Sequence, residues 1–270
     1  MKILVADPAK NITVFVLDPV EDLWERAALA RAILAEKSLG AEQVGFVVPP
    51  ESGPGARQGL WHLEMAGGEF CGNAARCLGL YVARQQGIKG KAEIFVSISG
   101  AEEPVRVEVD TVKSLAAAEM PKPQAMETLD YDGHPLSVLV FEGITHIIAP
   151  GTEAEAEAFY AIKALAEKEL VSRGKELPAA LGVMFFNTAA VYVRPAIYVR
   201  SIDTLVFESS CGSGSAALGI WLSRSRLDGT FKFALNQPGG VIETKLIKKA
   251  GEITSLTIGG EVKLGEVLEY

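Results

Sequence analysis

The chain predicts an α+β fold of two similar halves, each with one helix buried among strands. Three observations predict it. Short β-branched or alternating runs, bounded by Gly, Pro and Asp, recur along the whole chain and leave room for few helices. The segment Cys71-Gly72-Asn73-Ala74-Ala75-Arg76-Cys77-Leu78-Gly79-Leu80-Tyr81 returns about half a chain length later as Cys211-Gly212-Ser213-Gly214-Ser215-Ala216-Ala217-Leu218-Gly219-Ile220-Trp221. Both copies open with Cys-Gly and a small polar cap residue, and both carry a Leu-Gly-aliphatic-aromatic run at the same offset. Third, the small residues Ala75, Gly79, Ala216, Ala217 and Gly219 suit helices crowded on all sides.

Taken in order, Asp7 to Asn11 reads as a turn and Ile12 to Leu17 as a strand. Asp18-Pro19 opens an amphipathic helix over about Glu21 to Lys37, with Leu23, Ala27, Ala30, Ile33 and Leu34 as its apolar face. Gly40 ends it, Val44 to Val48 is a strand, and Pro49 to Gly59 is a polar, Pro- and Gly-rich loop. A strand over about Leu60 to Met65 leads through Gly67-Gly68-Glu69-Phe70 into the first repeat helix, which runs to about Gln86. Ala92 to Ile98 and Val105 to Val109 are strands. Met120-Pro121-Lys122-Pro123 is the crossing between halves, expected as 1–119 (completed by about 257–270) and 120–256. In the second half, strands fall at Ser137 to Phe141, Thr145 to Ile148, Val183 to Phe186, Ala190 to Val193 and Ile197 to Val199. A helix rich in Ala and Glu covers about Glu153 to Ser172, and the second repeat opens the last helix.

Composition narrows the function classes. Nearly half of the 270 residues are hydrophobic and the net charge is −8, which argues against a nucleic-acid partner. The short cluster Lys245, Lys248 and Lys249 alternates with apolar residues and reads as the solvent face of a strand. The N-terminal run is too short for a signal peptide, and no stretch approaches the ~20 apolar residues of a membrane helix. Three cysteines form no disulfide framework, so a reducing cytoplasm is the expected setting, with the thiols free for chemistry.

Each Cys-Gly step at a helix entrance combines two effects. Free N–H groups and the macrodipole hold anions, and the same field lowers a thiol's pKa. One such site holds a carboxylate and a reactive sulfur together. Two acting on one substrate supply a base on one face and an acid on the other, which fits racemisation of an α-amino acid without a cofactor. Cys77, inside the helix, reads as a small hydrophobe. His62 and His134 have no partner pattern, no histidine–cysteine spacing resembles a zinc site, and Arg76 reads as a structural hydrogen-bond donor. Glu64 and Glu69 flank the first motif and read equally well as strand-end surface carboxylates.

At these residues the sequence resembles the diaminopimelate epimerase family, on Cys71-Gly72-Asn73-Ala74-Ala75-Arg76-Cys77, on Cys211-Gly212-Ser213-Gly214 and on Asn11 before a strand. The resemblance spans essentially the whole chain. It implies two pseudo-symmetric domains with strands wrapped around a central helix and an active site in the cleft between them. It also implies Cys71 and Cys211 as catalytic thiols, His146 as the histidine that helps deprotonate a cysteine, and Asn11, Gly72, Asn73, Glu208, Gly212 and Ser213 as substrate-binding positions. No metal and no cofactor are implied. The partner is a small amino-acid substrate, with a homodimer left open.

The departures bear on the substrate. Ile144 stands where the family has an asparagine, Val183 to Phe186 is apolar where another belongs, and no Glu-Arg-Gly pattern precedes Cys211. The equipment for a second charged amino-acid terminus is missing, which argues against diaminopimelate. Glu42-Gln43-Val44-Gly45-Phe46, Glu69 to Ala74, Glu208 to Gly214 and Asn236-Gln237-Pro238-Gly239-Gly240 are similar to the histidine-racemising branch tied to opine-metallophore synthesis, which implies L-histidine to D-histidine. Two rival readings stand beside it. One is a non-amino-acid isomerase of the same fold, against which the second cysteine counts, and the other is an amino-acid binder that never exchanges the α-proton.

Overall fold

A computed structural model describes residues 1–50 and 59–270. The loop expected over Pro49 to Gly59 lies mostly outside the described residues. The chain divides into two compact units, Met1–Met120 with Thr257–Tyr270, and Pro121–Leu256.

The first unit contains β1 (Lys2–Asp7), β2 (Thr13–Val16), α1 (Leu23–Ala35), β3 (Gln43–Val48), β4 (His62–Met65), α2 (Gly72–Gln85), β5 (Lys91–Ile98), β6 (Val105–Asp110) and β7 (Leu115–Glu119). The end of β16 (Glu252–Glu261) and β17 (Lys263–Glu269) return to it. Pairing runs β17, β1, β2, β3, β4, β5, β6, β7, β16, and this chain of strands wraps α2. The pairs β2–β3 and β4–β5 are parallel, with α1 and α2 as their respective crossovers. Gly72 to Ala83 are all buried, so α2 has no solvent face over that stretch.

The second unit repeats the grammar. It holds β8 (Ala125–Tyr131), β9 (His134–Val140), β10 (Ile144–Pro150), α3 (Ala156–Ser172), β11 (Ala180–Asn187), β12 (Tyr192–Val199), β13 (Thr204–Phe207), α4 (Gly212–Leu222), β14 (Gly229–Gln237) and β15 (Gly240–Lys249). The crossover α3 joins the parallel pair β10–β11, as α1 joins β2–β3. The buried helix α4 packs on β15, β10, β11 and β14. The two echoed glycines do equivalent work. A Cβ at Gly79 would lie 2.5 Å from Val107 Cγ1, and one at Gly219 would lie 2.7 Å from Thr244 Oγ1, so each glycine lets a strand close onto its central helix.

Several expectations are corrected. The first strand of the chain is β1, which the short run before Asp7 conceals; its Ile3 and Leu4 are buried. Helix α1 begins at Leu23 because Asp22 caps it, accepting from the Glu25 N–H. Its packed stripe is narrow: Ala30 and Ile33 are buried, whereas Leu23 and Leu34 are 73% and 45% exposed. The two strands expected at Ala190 to Val193 and Ile197 to Val199 are one strand, β12. Pro195 lies inside it, and its carbonyl accepts from the Glu208 N–H. Lys248 is not on a solvent face. It is 6% exposed, and its Nζ donates to the carbonyls of Ser223 and Arg226 at the end of α4.

Candidate active site

Cys71 is the N-cap of α2, in extended backbone, and its sulfur accepts from the Ala74 N–H at 3.4 Å. The residue before the helix is thus both cap and acid–base candidate, a place usually taken by Ser or Asp. The thiol donates to Gln43 Oε1 at 3.1 Å, and the same oxygen receives the Thr13 hydroxyl at 3.2 Å. Burial pushes the Cys71 pKa up to about 11, with the Glu69 carboxylate adding to it. The N–H groups of Ala74 and Asn73 pull the other way. The sequence predicts a low-pKa thiol at this helix start, and the structure corrects that: loss of water around the sulfur outweighs the donors.

Asn73 and Asn11 are present but turned inward. Asn73 Nδ2 donates to Asn11 Oδ1 at 3.0 Å, Asn11 Nδ2 donates to Glu42 at 2.8 Å, and Arg76 Nε donates to Asn73 Oδ1 at 3.1 Å. Arg76 is fully buried and also donates to the carbonyls of Glu261 and Pro8. It thereby fastens the Asp7–Asn11 turn, where Ala9 and Lys10 take positive φ, to the helix start. The side chains of both asparagines are spent on this scaffold.

Cys211 repeats the arrangement in the second unit. It caps α4 in the same extended conformation, and its sulfur accepts from the Gly214 N–H at 3.3 Å. Its main chain is pinned by Gln237, whose Oε1 accepts the Cys211 N–H at 2.9 Å. Gln237 Nε2 donates to Ser215, and the Ser215 hydroxyl donates to the Cys211 carbonyl. Burial raises the Cys211 pKa well above the ordinary thiol value, followed by the charge of Glu208, whose carboxylate also accepts from the thiol. Ser213 and the Gly214 N–H act in the opposite sense.

His146 on β10 is fully buried and is linked to Cys211 through Ser213. Its Nε2 lies 2.9 Å from Ser213 Oγ, which lies 3.6 Å from the Cys211 sulfur. Burial drives its pKa down to about 3, so the ring is neutral.

Sequence reasoning missed Gln43, Thr13, Gln237 and Ser215. Gln43 and Gln237 fall in stretches that carry the resemblance, and that was the one signal available for them. His62 is buried in the first unit, with its ring held by Ser97 at 2.9 Å and Glu64 at 3.1 Å, so it is a satisfied strand residue; His134 is exposed. Glu69 is exposed and Glu64 partly so. Cys77 is buried, and all three cysteines are free. Among the described residues no group of three His, Cys, Asp or Glu is placed to hold a metal, and no helix is long and apolar enough to cross a membrane.

Residues 1–266 match the family model described as the histidine racemase CntK N-terminal domain. A histidine racemase from Fusobacterium nucleatum is 33% identical over 245 residues, covering 88% of this chain and 86% of that protein. One from Staphylococcus aureus is 27% identical over 258 residues, covering 93% and 90%. The structure of a predicted epimerase from Pseudomonas aeruginosa has the same fold, with a TM-score of 0.65 at 14% identity over 100% of this chain and 99% of that one. Two capped cysteines at the starts of two buried helices, in a diaminopimelate epimerase-like fold, accompany these similarities. The chain belongs to the histidine racemase family and is an isomerase of the racemase and epimerase kind.

Proposed function

We propose that this enzyme interconverts L- and D-histidine, with one of Cys71 and Cys211 taking the α-proton and the other delivering its own proton to the opposite face. The observation that carries the reading is the matched capping geometry, with each sulfur taking a helix-start N–H, at 3.4 Å from Ala74 and 3.3 Å from Gly214. One cysteine, as thiolate, removes the proton from Cα, and the other, as thiol, returns a proton to the opposite face. The sulfurs exchange protonation states with each turnover, so the reverse direction uses the same groups in reversed roles. Negative charge moving onto the substrate carboxylate meets the N–H groups of Gly72 and Asn73 and of Gly212 and Ser213, which are oriented before the reaction begins.

The raised thiol pKa values fit this cycle. A buried sulfur without a counter-charge keeps its proton, and an arriving α-ammonium supplies the positive charge that favours thiolate. Histidine as substrate is supported by the family. On this reading the reaction needs no cofactor, runs in a reducing cytoplasm and supplies D-histidine for metallophore assembly.

The test is α-proton exchange in deuterium oxide under reductant, with a panel of L-amino acids that includes histidine and diaminopimelate, followed by proton NMR and chiral chromatography. Exchange with inversion is expected for histidine. Cys71→Ser and Cys211→Ser are each expected to abolish racemisation while remaining folded; full activity in either variant refutes the two-thiol mechanism.

A further inference from the structure

We infer that His146 acts on Cys211 as a donor of fixed direction rather than as a base: Nε2–H points to Ser213, and the Ser213 hydroxyl hydrogen is thereby aimed at the Cys211 sulfur. The inference deepens the two-thiol reading by assigning His146 and Ser213 as positioning residues for one of the two sulfurs.

A neutral imidazole carries one proton, and the surroundings decide which nitrogen has it. His146 Nδ1 is buried and has no hydrogen-bond partner among the described residues. It lies over Gly182 of the neighbouring strand β11, so closely that a Cβ there would stand 2.4 Å from Nδ1. The edge of the Phe141 ring packs against the imidazole, with centroids 6.0 Å apart. At the other end of the ring, Nε2 has Ser213 Oγ at 2.9 Å. A buried N–H without an acceptor is costlier and rarer than an acceptor without a donor, so the proton belongs on Nε2.

The rest of the chain of donors follows. Once the Ser213 oxygen accepts from His146, its own hydrogen is free for the sulfur 3.6 Å away. The Cys211 sulfur then has two donors, Ser213 Oγ–H and Gly214 N–H, and one acceptor for its proton, Glu208. The charge of Glu208 bears on this sulfur as well and favours the thiol. When the thiol gives its proton to the substrate carbon, the thiolate remains held by donors that do not have to turn. A histidine acting as base would need the opposite tautomer and would strand an N–H against Gly182.

Long-range proton–nitrogen NMR of the imidazole rings tests this directly. The chain has three histidines, and His62→Gln, His134→Gln and His146→Gln variants assign them. The expected result is a His146 ring with bare Nδ1 and protonated Nε2, unchanged from about pH 5 to about pH 9. A proton on Nδ1, or titration within that range, overturns the inference. A second measurement follows iodoacetamide labelling of Cys211 against pH by mass spectrometry. Ser213→Ala is expected to raise the apparent Cys211 pKa by about one unit, a roughly tenfold loss of thiolate at fixed pH. Ser213→Thr is expected to restore it and Cys71 to be unaffected. An unchanged Cys211 profile in folded Ser213→Ala also overturns it. Neither readout involves turnover, so failure to racemise histidine would sink the proposed function and leave this arrangement standing.

Discussion

Arg76 offers the sharpest test of what holds the first cysteine in place. Its guanidinium is fully buried and donates to three acceptors in different directions, Asn73 Oδ1, Glu261 O and Pro8 O. Arg76→Met preserves most of the volume and strands all three. Each buried acceptor without a donor costs about 1–3 kcal/mol. Removing a cation from the interior returns part of that, because its desolvation penalty disappears. The net loss is expected to be about 3 kcal/mol. With a urea slope of about 2 kcal/mol/M, the unfolding midpoint falls by roughly 1.5 M. Hydrogen exchange at the α2 amides locates the loss in the first unit, and racemisation falls as Asn73 loses its tether. Arg76→Lys is expected to behave similarly, since an ammonium cannot reach three separated oxygens as a planar fork can. A midpoint shift below about 0.3 M, with activity kept, would refute the claim that these three bonds fasten the turn to the helix start.

Three further outcomes are expected. The thiolate absorbance of Cys71, read in a Cys77→Ala/Cys211→Ser background, rises with an inflection near 11, because the folded state holds this proton more tightly than the unfolded chain. By linkage, the stability this contributes is fully present below the unfolded value of about 9 and is lost as pH climbs toward about 11, which urea melts across that window measure. Gly79→Ala and Gly219→Ala each lower stability by about 1–3 kcal/mol in thermal melts despite better helix propensity, and Val107→Ala recovers part of the first loss. Lys248→Met costs about 1–2 kcal/mol, since the Ser223 and Arg226 carbonyls lose the cation at the end of α4.

The two capped cysteines were legible because their signature is contiguous: a sulfur, a glycine, a small cap residue and a crowded helix fall within one stretch, twice. Gln43 was not, because its partner Cys71 lies 28 residues away and a polar residue on a strand reads as surface. Strand β7, Leu-Ala-Ala-Ala-Glu, was missed for a related reason. Alanine has little strand preference, and the segment is held extended by β6 on one side and β16 on the other, while Ala116 and Ala118 are buried beside α2. The inward face of Lys248 was hidden by the expectation that charges on an alternating strand face water. The pKa direction at Cys71 was misjudged because a helix start is visible in sequence and the degree of burial is not.

The return of residues 257–270 to the first unit has a consequence for how the chain folds as it is made. β17 pairs with β1, and the end of β16 pairs with β7, so both strands that close the wrap around α2 are made only after the whole second unit. The second unit is continuous in sequence and can complete itself as it leaves the ribosome. The first must wait, with β1 and β7 unpaired along one edge, for the remaining ~150 residues, or roughly 8–30 s at ordinary elongation rates. The half that emerges first is therefore the last to finish, and its exposed strand edges make that interval the protein's period of greatest exposure to aggregation.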